Sequence, residues 1–422
     1  MYLSTLDRSP REGAGRGLRH TATAVGGNVL ALGLVSLLTD VSAEMVTAVL
    51  PLYFVLTLHM SPAAYGVIDG LYTGATALLR LAGGYAADRF RSRKAVAAAG
   101  YGISALAKLG LAAAGSSMAA LGAVIVADRA GKGLRTAPRD ALISLSVAES
   151  VLGKAFGVHR AMDSIGAFAG PLAALGVLAA VGTTDPAAFD ALFLTSFSIA
   201  TAGLLALAAL TREPRGGHRP ATPVSLRAAG GLLRAAPVRG LMYAAGLLGL
   251  ATVGDGFVYL LLMRRQNLLT GWFPILAVGA NLVYLLLAAP LGTLADRLGR
   301  RTVLLSGYGA LLAVYLLLCS PLSGAPVTLA VLCCYGAFYA ATDGVLMALA
   351  GPLLPPGLRT TGLACVQTVQ ALAYLLSSLA FGFAWATWGS TAATGAAAGV
   401  VLLAVTATGA LVPGRKPEEA DA

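Results

Sequence analysis

The chain has 422 residues, of which 57% are hydrophobic and only 12% charged, with 52 glycines, a balance far outside that of soluble domains. Its net charge of +11 would suit a nucleic-acid binder, but the basic residues gather in alternate polar segments between apolar runs, the pattern that orients helices in a membrane. Composition therefore excludes a soluble enzyme or a nucleic-acid module, and it reads as an all-α integral membrane protein whose spans each need about 20 apolar residues.

In chain order, residues 1–25 read as a basic cytoplasmic tail that lacks the apolar core of a cleavable signal peptide. Spans are predicted at 27–57, 62–86, 95–116, 119–143, 155–182 and 188–211. A linker over 212–236 precedes spans at 238–263, 271–295, 302–320, 326–351, 361–386 and 389–412, and 413–422 form a second tail. About twelve transmembrane helices thus fall into two pseudo-symmetric six-helix bundles, 26–211 and 237–412. Arginine and lysine concentrate in the tails, the linker and every second loop, so these polar parts are predicted to be cytoplasmic; Arg264 and Arg265 are the exception. Cys319, Cys333, Cys334 and Cys365 lie inside predicted spans and read as packing residues.

The first span holds Asp40 and Glu44 one turn apart near its middle. Two carboxylates this close in a low-dielectric cavity cannot both ionise easily, which is what a proton carrier needs; a cation site, or an ion pair with Arg80 or Arg129, are the other readings. In the fourth span Asp128, Lys132, Arg135 and Arg139 follow steps of four, three and four, one stripe along a helix. Each such charge costs roughly 2.5–3.5 kcal/mol at the bilayer centre, so the stripe must face protein or water. The fifth span adds His159, Arg160 and Asp163, with histidine and aspartate one turn apart.

The second half is poorer in charge. Asp255 and Asp343 are accompanied by Asn281, Tyr284, Tyr335, Tyr339, Gln367, Gln370 and Tyr374. Tyr335, Tyr339 and Asp343 recur every four residues, a polar and aromatic stripe suited either to a wall for a partly apolar substrate or to helix–helix hydrogen bonding. With Arg80 and Lys132, the residues Asp255, Asn281, Tyr335, Tyr339, Asp343, Gln367 and Gln370 are the candidate substrate contacts.

A polar hinge with Gly84, Asp88, Arg89, Arg93 and Lys94 joins spans two and three, and it returns half a chain later as Gly292, Asp296, Arg297, Gly299, Arg300 and Arg301. The second copy resembles the loop signature of the major facilitator superfamily throughout; the first departs from it with Arg91 at the usual glycine and Ser92 at the usual arginine. The resemblance covers about residues 25–412 and implies two bundles alternating access around a midplane cavity. It further implies that the hinge aspartates latch onto a helix N-terminus, with arginines reaching anionic lipid. Gly157, Gly166, Gly170 and Pro171 in the fifth span resemble the glycine-rich signature of the superfamily's drug and proton antiporters, with Ala174 where a further glycine is usual. Arg129 with Gly133 resembles the fourth-span signature whose arginine is tied to proton movement.

The expectation is a monomeric secondary transporter of the inner membrane, exporting a small organic compound against protons. Asp40, Glu44, Asp128, Arg129 and Asp163 would carry the coupling, with no cofactor and no metal. Two alternatives stay open: transport of an anionic metabolite or metal chelate held by Lys108, Arg129, Lys132 and Arg160, and a membrane receptor that keeps the fold without transport. No nucleophile motif or phosphate loop points to an enzyme.

Overall fold

The computed structural model describes residues 26–74, 76, 92–147, 152–182, 186–213, 236–269, 272–343, 345–350 and 359–411. Arg80, Gly84, Asp88 and Arg89 lie outside the described residues. Among the described residues there is helix and no strand, as a chain in lipid requires, since every backbone polar group must be satisfied within its own segment. Among the described residues, ten helices are long and apolar enough to cross a membrane.

The helices are α1 (Gly27–Thr47), α2 (62–74), α3 (Arg93–Ala113), α4 (Met118–Leu145), α5 (Leu152–Val181), α6 (Pro186–Leu210) and α7 (Ala236–Ala251). They continue as α8 (Asp255–Gln266), α9 (Trp272–Leu298), α10 (Arg300–Cys319), α11 (Ala325–Thr342), α12 (Val345–Ala350), α13 (Arg359–Trp388) and α14 (Ser390–Leu411). Among the described residues, three predicted spans are interrupted. The first breaks after Thr47 and resumes as a turn at Leu50–Leu52 and a wide helical turn at Tyr53–Thr57. The seventh divides into α7 and α8 around Thr252–Gly254, and the tenth into α11 and α12 at Asp343.

The helices form two compact units. In the first, residues 26–49 and 92–213, α1 packs on α5 and α6, and α3 on α4 and α6. Its core is apolar and closed: Val29, Leu32, Val35, Ala97, Tyr101, Leu142, Ile143, Ala155 and Leu207 are at most 1% exposed. Small residues set the close approaches. A Cβ at Gly100 would lie 2.6 Å from the carbonyl oxygen of Gly131, and one at Gly131 equally close to that of Gly100, so α3 and α4 meet backbone to backbone.

The start of α3 is held by a carboxylate that belongs to none of the sequence motifs. Ser92 makes no side-chain cap. Glu213 accepts instead from the backbone N–H of Arg93 at 2.9 Å and of Lys94 at 3.0 Å. The Lys94 ammonium donates to the carbonyls of Ala208 at 2.8 Å and Thr211 at 2.7 Å, at the end of α6. Each charge thus meets the helix end of opposite partial charge. Glu213→Ala is expected to cost about 1 kcal/mol, the usual scale of a lost helix cap. Urea unfolding in detergent checks it, and an unchanged midpoint would show the cap to be idle.

The second unit comprises residues 50–74 and 236–411. The break between α7 and α8 exposes backbone groups that α10 satisfies. The Tyr315 hydroxyl accepts from Val253 N–H at 2.9 Å and donates to the Ala251 carbonyl at 3.3 Å, while the Tyr308 hydroxyl donates to the Leu248 carbonyl at 3.2 Å. The second hinge, expected as a loop, is helical for most of its length. Gly292, Asp296 and Arg297 lie in α9, and Gly299 alone makes the turn into α10 with φ of 94° and ψ of 133°. Only glycine adopts that conformation without strain, which accounts for the glycine of the motif. Arg300 opens α10, and the guanidinium of Arg301 donates to the Gly409 carbonyl near the end of α14. Arg265, the exception in the charge pattern, donates to the Leu318 carbonyl at 2.7 Å and caps the end of α10.

Candidate functional site

Among the described residues, each unit contains a cluster of buried charged side chains. In the first unit α4 supplies the stripe expected of it. Asp128 accepts from Lys108 of α3 at 2.5 Å through Oδ1 and from both Nε (3.0 Å) and Nη2 of Arg129 through Oδ2. The three side chains are 12%, 5% and 5% exposed. One carboxylate between two cations in a dry interior is a fixed ion triad, because losing either partner would strand a buried charge. Of the four cations considered for an anion site, Lys108 and Arg129 both pair with Asp128, and Arg160 is exposed.

Two turns on from Asp128, the Arg135 guanidinium stacks on the Tyr101 ring at 4.7 Å and reaches Asp40 Oδ1 at 4.0 Å. Asp40 thus meets Arg135, whereas Arg129 meets Asp128, a pairing that differs from those expected of the sequence. Arg139 donates to Ser36 at 3.1 Å through Nη1 and to Asp140 at 3.1 Å through Nε. His159 Nε2 lies 3.4 Å from Ser36 Oγ and 3.6 Å from Asp163 Oδ2, so the predicted histidine–aspartate turn is formed. Lys132 lies within electrostatic range of Arg129, Glu44, Asp40 and Arg135.

The glycine signature of α5 explains how the acids of α1 are framed. A Cβ at Gly166 would lie 2.6 Å from the Leu37 carbonyl oxygen and 3.1 Å from Asp40 Cβ. One at Gly170 would lie 2.7 Å from Glu44 Cβ and 2.8 Å from Met45 N. The two glycines are windows through which α5 presses on the two acidic turns. Among the described residues nothing lies within 4 Å of a Cβ at Gly157, which plays no such part, and α5 continues as a helix through Pro171.

The second cluster surrounds the α7–α8 break. Asp255, in the first turn of α8, accepts at Oδ1 from the hydroxyls of Tyr335 at 2.7 Å and of Tyr339. Asp69 of α2 faces the same break: it accepts from Ser378 of α13 at 2.6 Å and from Tyr65 at 3.3 Å. A Cβ at Gly254 would sit among the Asp69 carboxylate atoms, and one at Gly256 would strike the Tyr65 hydroxyl and the Pro51 ring. Tyr65 stacks edge-on against Phe257 at 4.6 Å, and Tyr335 against Tyr259 at 5.8 Å. Among the described residues no lysine or arginine pairs with either carboxylate; hydroxyls and the positive end of α8 face them.

The predicted stripe of Tyr335, Tyr339 and Asp343 is split. The helix ends at Thr342, and Asp343, in extended backbone, turns outward to accept from Tyr284 at 2.9 Å. Asn281 is exposed on α9, and Gln367 and Gln370 are half-buried on α13. Sequence reasoning missed Asp69 because it is the single acid of its span; its spacing of four from Tyr65, the same as that of Tyr335 and Tyr339, was the available signal.

Residues 32–278 and 265–422 match the Major Facilitator Superfamily. The chain is 31% identical over 369 residues to an uncharacterised MFS-type transporter of Methanocaldococcus jannaschii, covering 85% of this chain and 88% of that one. It is 35% identical over 167 residues, 39% of this chain and 40% of the other, to an uncharacterised protein of Mycobacterium tuberculosis. Among solved structures, the nucleoside transporter NupG superposes with a TM-score of 0.75 at 15% identity, over 92% of this chain and 99% of that one. A D-xylose–proton symporter gives 0.70 at 17% identity, over 91% and 97%. At such identities the structural likeness is one of fold.

Proposed function

The chain belongs to the major facilitator superfamily, a multi-pass family of membrane transporters, and from that premise we propose that it exports a small organic compound in exchange for protons. The observation that carries this reading is the pair Asp40 and Glu44, on successive turns of α1, with Arg135 at 4.0 Å from Asp40 and Lys132 acted on by both acids. This cation contact is looser than that of Asp128, whose two partners hold it directly. A carboxylate held loosely can give up its cation when it takes a proton; one held by two cannot.

In the proposed cycle Asp40 or Glu44 takes a proton from outside, releasing Arg135 and Lys132, and returns it inside, where the cations re-form their pairs. Asp163 lies on the same seam and shares the load. Asp128 and Arg129 act as the fixed counter-charge that keeps α3 and α4 in place. The substrate wall is assigned to the second unit, with Asp69, Asp255, Tyr335 and Tyr339 as polar contacts and Gln367 and Gln370 beside them. Both termini are assigned to the cytoplasm, on the charge pattern.

The test uses full-length protein in lipid vesicles with an imposed pH gradient and a panel of labelled organic compounds that includes a cationic dye and a metal chelate. Gradient-driven flux is expected, and Asp40→Asn with Glu44→Gln should abolish the driven part while leaving exchange at equal pH. Driven export in the double variant would refute the coupling. Absence of flux for every compound would favour a receptor without transport.

A further inference from the structure

The geometry points to His159 as a proton relay, in a path that follows the α1–α5 seam from Glu44 and Asp40 to the ends where both helices begin. The inference rests on the proton-coupled reading above and adds to it a route and a residue. Gly170 meets the Glu44 turn, Gly166 the Asp40 turn, Met162 lies against Gly33, and His159 against Ser36. The two helices therefore run side by side in one direction. Glu44, Asp40 and Ser36 are spaced four apart on α1, and Asp163 and His159 four apart on α5. The seam is a ladder of proton-bearing groups that leads to the face the charge pattern assigns to the cytoplasm.

His159 occupies the last buried rung. It is only 2% exposed, its Nε2 faces Ser36 and Asp163, and among the described residues its Nδ1 has no hydrogen-bond partner. Oδ1 of Asp163 is likewise buried without a partner among the described residues. A buried polar atom left unpaired loses its hydration and gains nothing in return, and such atoms in polar sites are met by internal water. Both orphan atoms lie on one helical turn of α5, so they mark one place where water enters the seam. An imidazole with one nitrogen on the ladder and the other on that water can accept a proton at one and release it at the other by exchanging tautomers, without holding a charge.

The charges around the ring are those of every helix packed against α5. α1 contributes Asp40, α4 contributes Arg139 and Asp140, and α5 itself contributes Arg160 and Asp163. Within α6 the ionisable residue is Asp190, close to the start of that helix. Arg139 holds Ser36 from the other side, which fixes the hydroxyl opposite Nε2.

The experiment needs no substrate. Full-length protein in lipid nanodiscs is followed by infrared spectroscopy. The carboxylic-acid stretch is assigned with Asp40→Asn and Glu44→Gln, and the rate at which it shifts after a jump from H2O to D2O is measured. His159→Gln and His159→Phe are expected to slow that exchange about 10²-fold, the lower end of what a positioned proton-transfer group contributes. Ser36→Ala should slow it in the same direction, and together with His159→Gln it decides the outcome if the phenylalanine variant fails to fold by size-exclusion chromatography. A band that exchanges at the wild-type rate in these variants overturns the relay and leaves the proton carriers standing. Absence of any such band in the wild type between acid and neutral pH overturns both.

Discussion

Asp128→Ala is expected to be the most destabilising single substitution in the first unit. The variant leaves Lys108 and Arg129, both about 4% exposed, with no carboxylate between them. Removing one member of a buried ion pair costs about 3–5 kcal/mol, because the remaining charge is neither solvated nor paired. Here two cations lose the carboxylate between them, and they repel each other. Against a total stability of about 5–15 kcal/mol this approaches loss of the fold, which predicts little monodisperse protein after extraction. Lys108→Met combined with Asp128→Asn removes one charge of each sign and is expected to cost less than Asp128→Ala alone, a coupling that independent sites do not show. Unfolding curves in detergent for the single and double variants decide the matter. Equal losses in both would mean that the triad contributes through packing and not through charge.

Gly170→Val is the second large effect, and its origin is steric. The new Cβ would lie 2.7 Å from Glu44 Cβ, 2.8 Å from Met45 N and 2.9 Å from the Val41 carbonyl oxygen. Two of those atoms are backbone of α1 and cannot turn away as a side chain can. The helices must separate, at a cost of about 1–3 kcal/mol for overpacking of a filled contact. The acids move with the backbone, so the proton-driven flux proposed above is expected to fall even where the protein remains folded. Gly157→Ala and Gly176→Ala are the controls: among the described residues neither glycine has anything within 4 Å of its Cβ position, and alanine in a helix interior gains about 0.5–1 kcal/mol. Equal behaviour of Gly157 and Gly170 variants in unfolding and flux would show that the spacing of the glycines, not the α1 contact, is what matters.

The contrast between these glycines shows how far the chain can be read without its fold. The signature Gly157, Gly166, Gly170 is visible as a spacing, yet the spacing does not say which members touch a neighbour, and among the described residues Gly157 touches none. The charged stripe of α4 is visible because its period is that of a helix. Its partners are not, since Lys108 lies on α3 and Asp40 on α1. Asp343 shares a stripe with Tyr335 and Tyr339 only if the helix continues; the chain leaves the helix at Thr342 and carries the aspartate elsewhere. Asp69 escapes notice because a single acid in an apolar span carries no pattern of its own.

Membership of a membrane-spanning class, the positions of the spans and the repeated hinge can be had from the sequence alone, because hydrophobicity, helical period and motif spacing are properties of residues near one another in the chain. Which acid meets which cation was decided only by tertiary packing. His159 lies 123 residues from Ser36, and Ser378 lies 309 residues from Asp69. The rotation and closeness of their helices, set by small residues such as Gly166, Gly170 and Gly254, determine whether they meet. The interruption that puts Asp255 at a helix start was decided in the same way. It is an unwound turn in an apolar run, stable because Tyr308 and Tyr315 of another helix bond backbone groups within it and at the end of α7.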